Sequence, residues 1–217
     1  FLECVFWRNF EFFLFKISPE QQQTQSQTTE DFDLSGVKKL SEPALATAED
    51  RTLGNVSAKN TLLVYEDYQC PACALAADTL KQLSQQLPDT KFVFRNFPLY
   101  QIHKNAIVSA YAAESAGEQG KYWEMHDLLY KNQKDWSSLA NPLDYFARLA
   151  SQAGVINLEQ FKTDITSKRF KNKIQKDLVE ALGLSIPGTP AIYFNGKVIA
   201  NNSLENMKKE AEQYLIK

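Results

Sequence analysis

The chain has 217 residues, 24 Lys and Arg against 26 Asp and Glu, a net charge of −2, and 44% hydrophobic residues. That is enough apolar material for one large domain with an insertion or for two small ones, and the near-neutral charge leaves no electrostatic footprint for a nucleic-acid partner. Three cysteines, two of them in one Cys-x-x-Cys pair, are too few for a structural disulfide framework.

Residues 1–17 are dense in Phe, Leu, Val, Ile and Trp but interrupted by Glu3, Arg8, Asn9, Glu11 and Lys16. A membrane span needs about 20 mostly apolar residues, so this stretch reads as an anchor-like segment, an interfacial helix or the remnant of a targeting signal. Glu3 precedes Cys4, so no lipid-attachment site is read there. Residues 18–50 read as a polar linker, low in complexity through Ser35 and transitional beyond it. An apolar segment followed by such a linker looks like a tether to a membrane. The folded domain is expected over 51–217, opening with an edge strand or loop around Leu53-Gly54-Asn55.

Residues 61–65 are short and apolar, as a buried strand is. Ala76, Leu80, Leu83 and Leu87 then repeat at helical spacing, and Pro71 suits the first turn of that helix. Cys70 is thereby placed at or just before the helix N-terminus, with Cys73 one turn on. Unpaired N–H groups and the positive end of the helix dipole stabilise a thiolate there. This pattern predicts Cys70 as an exposed nucleophile and Cys73 as the deeper, resolving thiol. A Cys-x-x-Cys pair can also be half of a zinc site. Four ligands are usual, however, and Cys4, His103 and His126 do not stand at ligand spacing, so no metal and no cofactor is expected.

Residues 91–97 form the next strand, giving a right-handed parallel βαβ unit. From about 103 to 183 only helices are expected: 105–115, 122–130, one opened by Asn141-Pro142, one capped by Asn157, and one over 167–182. The cations from Lys168 to Lys176 read as a solvated helix face. His126 reads as a packed or capping histidine. So does His103, although it lies in the loop where the helical block leaves the sheet, which gives a role near the active site as its other reading. Strands return at 191–194 and 197–200 around Asn195-Gly196, a strong hairpin signal. Ser203 then caps a last helix with Leu204, Met207, Ala211 and Leu215 on its buried face. Just ahead of the hairpin, Ile186-Pro187-Gly188-Thr189-Pro190 carries a proline at a strand start, the usual host of a cis peptide.

This α/β arrangement resembles the thioredoxin fold with an inserted α-helical block, as in the DsbA-like thiol-disulfide oxidoreductases and in particular their BdbD-type branch. Four segments carry the resemblance: 66–73 around the two cysteines, 94–99, 119–127, and Gly188-Thr189-Pro190-Ala191. The resemblance implies an extracytoplasmic, monomeric dithiol enzyme, in the periplasm or on the outer face of the cell membrane. It would form disulfides in cysteine-containing proteins and be recycled by a membrane or soluble redox partner. It implies Cys70 as nucleophile, Cys73 as resolving thiol, Pro190 as a cis-proline, and substrate contacts at Thr189, Pro71 and Ala72. An isomerase or reductase of the same fold, and a chaperone-like module without turnover, remain as alternatives.

Two positions depart from the family pattern. Many relatives carry a buried carboxylate six residues before the first cysteine, where it relays the proton of the resolving thiol. Here that position is Val64. Glu66, two residues on, is the candidate relay, with a solvated turn acid as its other reading. The strongly oxidising relatives also have His between the cysteines, whereas Pro71-Ala72 offers the thiolate no cation.

Overall fold

A computed structural model describes residues 32–200 and 203–216. Its centre is β2 (Asn60–Glu66), seven residues with an apolar middle and almost no exposed surface. Such a strand needs cover on both faces, the pattern of a central strand between helical layers. It pairs in parallel with β3 (Thr90–Asn96), α1 (Pro71–Gln86) making the crossover, and antiparallel with β4 (Ala191–Phe194). β1 (Arg51–Gly54) adds antiparallel to β3 and β5 (Lys197–Ile199) to β4, so the sheet order is β1-β3-β2-β4-β5.

Period-two alternation divides the core. Leu62, Val64, Ile192 and Phe194 pack with Ala76, Leu80 and Leu83 of α1 and with Met207 and Ala211 of α8 (Leu204–Gln213). Leu63, Tyr65, Val93 and Tyr193 belong to a larger cluster shared with the helical block between β3 and β4. That block comprises α2 (Ala106–Glu118), α3 (Tyr122–Lys131), α4 (Gln133–Trp136), α5 (Leu143–Ala153), α6 (Leu158–Thr166) and α7 (Lys171–Gly183). α4 is a single turn, too short to leave a periodic signal.

The turn chemistry follows from individual residues. Asn195 and Gly196 take φ of 48° and 80°, the left-handed pair a two-residue hairpin requires. Asn157 and Ser203 accept the N–H of Gln160 and Asn206 respectively, capping α6 and α8. Asn141 accepts from Leu143, but Pro142 stands at the cap rather than in the first turn. The helix expected from 167 begins at Lys171, because Lys168 adopts a φ of 55° and breaks the right-handed path. Leu215 is 42% exposed, because α8 ends at Gln213 before it can turn inward.

The linker expected over 18–50 needs correction where the structure describes it. Residues 32–50 run as coil bound to the domain. Phe32 is buried against the larger core, and its ring lies 6.3 Å from that of Tyr100. Leu40 N–H donates to the Gly183 carbonyl at 2.8 Å and Ala44 N–H to Glu180 Oε1 at 2.6 Å. Arg95, almost fully buried, pairs with Asp50 at 3.0 Å and Glu180 at 2.5 Å, and donates to the carbonyls of Ala44 and Leu45. The segment reads as linker because its partners are far away in sequence. The anchor-like residues 1–17, and the linker up to 31, lie outside the described residues.

Candidate active site

β2 ends at Glu66, and the chain turns through Asp67, Tyr68 and Gln69 into α1. Asp67 makes that turn. Its Oδ1 accepts the Gln69 N–H at 2.7 Å, and its carbonyl accepts the Cys70 N–H at 3.0 Å. Gln133 Nε2, from α4, donates to the carbonyls of Tyr68 at 2.8 Å and Cys70 at 2.9 Å, holding the turn from the helical block. Cys70 is the N-cap of α1 and Pro71 opens the helix. The N–H groups of Cys73 and Ala74 both donate to the Cys70 carbonyl.

Both cysteines are free thiols. Cys70 is 7% exposed and Cys73 not at all, so the exposed nucleophile expected from sequence is largely covered. The cover is the loop before β4: Cys70 Sγ lies 3.3 Å from the Thr189 carbonyl oxygen. The Thr189–Pro190 peptide bond is cis. Pro71 and Ala72 are exposed beside it.

Protonation separates the two thiols more sharply than exposure does. A hydrogen bond from the Cys73 thiol is the main influence lowering Cys70, to about 5; burial opposes it, and Thr189 and the N–H groups of Cys73 and Ala72 assist. Cys73 is pushed far up by burial, by donating to Cys70 and by the nearby Glu66 charge. The result is one thiolate and one held proton in a single turn of helix.

Glu66 is buried, not a solvated turn acid. Its Oε2 accepts from the Tyr130 hydroxyl at 2.6 Å, and Oε1 has no partner among the described residues. Burial raises it to about 8; the Tyr130 bond works against this and the Cys70 charge adds to it. It lines an apolar cavity of about 120 Å³ together with Val64, Leu80, Phe92, Trp123 and His126. His126 is packed, as expected. Its ring lies 5.0 Å from those of Phe94 and Tyr130, and burial lowers its pKa. His103 is not simply packed: its Nδ1 stands 2.7 Å from Asp67 Oδ2 in the active-site turn.

Sequence reading missed Asp67, Gln133 and Tyr130. Asp67 had a local signal, an Asp opening a turn before a helix cap. Gln133 and Tyr130 had none, because each reaches its partner across more than 60 residues of chain, 65 for Gln133 to Tyr68 and 64 for Tyr130 to Glu66. Among the described residues no group of three or more His, Cys, Asp or Glu could hold a metal ion.

Residues 46–212 match the family model described as Thioredoxin. The Probable disulfide bond formation protein D of Bacillus cereus is 31% identical over 179 residues, 79% of this chain and 82% of that protein. A Na(+)/H(+) antiporter of Salinispora arenicola is 34% identical over 148 residues, 68% of this chain but only 22% of its own length. This chain therefore spans under a quarter of the antiporters it matches. The crystal structure of BdbD from Bacillus subtilis superposes with a TM-score of 0.70 at 24% identity, covering 82% of this chain and 96% of that one. MdbA, a thiol-disulfide oxidoreductase from Corynebacterium diphtheriae, gives 0.63 at 22% identity, covering 82% and 96%. These two likenesses establish the fold. With the family model, the Bacillus cereus relative and the dithiol at the head of α1, they place the chain in the thioredoxin family, in its DsbA-like thiol-disulfide oxidoreductase branch.

Proposed function

We propose that the protein oxidises thiols of cysteine-containing proteins outside the cytoplasm, through a Cys70–Cys73 disulfide. The observation that carries this is the free Cys70–Cys73 pair at the head of α1, with Cys70 at the N-cap 3.3 Å from the Thr189 carbonyl and Cys73 fully buried, an arrangement that lowers Cys70 to about 5 and holds the proton on Cys73. A dithiol oxidises well when its reduced form is stabilised, and the stabilised species here is the Cys70 thiolate.

A substrate thiolate attacks Cys70 Sγ of the disulfide. The Cys70–Cys73 bond breaks, a mixed disulfide forms, and Cys73 leaves as a buried thiolate. Glu66, raised to about 8 and so protonated at neutral pH, gives Cys73 its proton. The second substrate thiolate then attacks the substrate sulfur of the mixed disulfide, and Cys70 leaves as the better thiolate. The Thr189 backbone beside Cys70 supports the substrate as an added extended strand, with Pro71, Ala72 and Pro190 shaping the surface around it. The two electrons pass on to a separate redox partner, in the membrane or soluble. Disulfide chemistry of this kind belongs in an oxidising compartment, and residues 1–17 would tether a monomer at the outer face of the membrane.

The test is equilibration of the pure protein with glutathione, followed by oxidative refolding of a reduced substrate protein. The proposal expects a reversible Cys70–Cys73 disulfide, catalysed refolding, and loss of catalysis in Cys70→Ser. Refolding assistance that survives Cys70→Ser would make the protein a binding module, and catalysis only of disulfide reduction would make it a reductase.

A further inference from the structure

Ala72 leaves the position between the cysteines without a cation, yet a histidine is bound to the turn that carries Cys70. The loop from Phe97 to Asn105, after β3, is laced onto the active-site turn on both sides of His103. Leu99 N–H donates to Asp67 Oδ2 at 2.9 Å, and Asn105 N–H to Gln69 Oε1 at 2.6 Å. His103 N–H donates to the Leu99 carbonyl at 2.9 Å, and its Nδ1 meets Asp67 Oδ2 at 2.7 Å. The Asp67 side chain is fully buried, while that of His103 keeps 18% of its surface and can exchange protons with solvent. Asp67 in turn binds the Cys70 N–H through its carbonyl.

We propose that His103, oriented by Asp67, is the positioning residue whose charge stabilises the Cys70 thiolate, in place of a cation between the two cysteines. This rests on the dithiol chemistry proposed above and adds a residue that sets its strength. Two titratable groups act on His103 from the elements packed against it, Asp67 and Cys70, both from the turn into α1. Lys104, beside it on the loop, is tied instead to the Ser138 carbonyl. The hydrogen bond to Asp67 is the largest influence raising His103; burial opposes it, and the Asp67 and Cys70 charges add to it.

The coupling has a redox consequence. Oxidation of a substrate dithiol turns the enzyme disulfide into a Cys70 thiolate and a Cys73 thiol and releases one proton. A neutral His103 takes up that proton, because the new thiolate favours the imidazolium. In the disulfide form Cys70 carries no charge and the attraction vanishes. By linkage, the shift His103 confers on Cys70 equals the shift that reduction confers on His103.

His103→Asn keeps an amide donor toward Asp67 and removes the cation. The Cys70 midpoint, read from thiolate absorbance, should rise by about 0.5–1 pH unit, the scale of one screened charge. The potential against glutathione at neutral pH should fall by about 15–30 mV, the same change at about 30 mV per tenfold. In the wild-type full chain, NMR titration should show the His103 pKa lower in the disulfide form than in the dithiol form. Equal His103 pKa values in the two forms overturn the proposal without any substitution, as does an unmoved Cys70 midpoint in a folded His103→Asn. A wild type that reaches no dithiol–disulfide equilibrium with glutathione would instead sink the underlying chemistry.

Discussion

One helical turn holds two thiols whose proton affinities are driven apart by each other. Cys70 gains its acidity chiefly from the Cys73 thiol, and Cys73 loses its own by giving that bond. Because Cys70 is lowered from 9.0, the thiolate's contribution to the dithiol form is complete above about 9 and disappears as pH falls through about 5. Alkylation of the reduced protein should therefore follow Cys70 alone, with half-maximal rate near pH 5; labelling of Cys73 at a similar rate would contradict the assignment. Glu66 works in the opposite sense. Raised from 4.5 to about 8, it keeps its proton in the folded state where the unfolded chain has lost it, so folded stability falls as pH rises from about 4.5 to 8. Glu66→Gln should remove that fall, as seen in urea midpoints at pH 5 and 8, and should slow the release of Cys73 from the disulfide at neutral pH. A midpoint difference between the two pH values that is the same in both proteins would show that Glu66 does not titrate as described.

Among the elements, the coil from 32 to 50 is the least expected, and one glycine shows how closely it lies. A Cβ on Gly183, the last residue of α7, would run into the Lys38 carbonyl oxygen and the Leu40 side chain. Backbone cannot yield as a flexible side chain can. Gly183→Ala should thus lift residues 38–44 off α7, break the Leu40–Gly183 hydrogen bond and expose the segment to protease while the disulfide still forms. Wild-type proteolysis in Gly183→Ala would show that the coil adjusts in place. The same docking carries Asp50 to Arg95 of β3.

For the molecule as a whole, Arg95 is the point where coil, sheet and helical block are tied together. It joins Asp50 and Glu180 with all three side chains buried or nearly so. Arg95→Leu leaves Glu180 buried without its arginine and leaves Asp50 to Lys173 at 3.8 Å, and should cost about 3–5 kcal/mol in urea unfolding. A loss under about 1 kcal/mol would equate it with a surface pair. Much of this architecture was legible beforehand because it is written locally. The βαβ periodicity, the Asn195-Gly196 turn and the caps at Asn157 and Ser203 each lie within a few residues of their effect. What escaped is written across distance: Tyr130 on Glu66, His103 on Asp67, Gln133 on the Cys70 carbonyl, and the docking of 32–50. In sequence those residues look like an aromatic helix face, a loop histidine and a polar tail, and only the closed sheet brings them together.

The bond from Cys70 to the Thr189 carbonyl spans 119 residues. A ribosome adding about 5–20 residues per second takes roughly 6–24 s to make that length. During that interval both cysteines exist while the loop that covers Cys70, and the strand β4 that follows it, do not. The thiols of the growing chain then have the acidity of those in any unfolded peptide. The contact that distinguishes Cys70 from an ordinary thiol arrives only with the last strands.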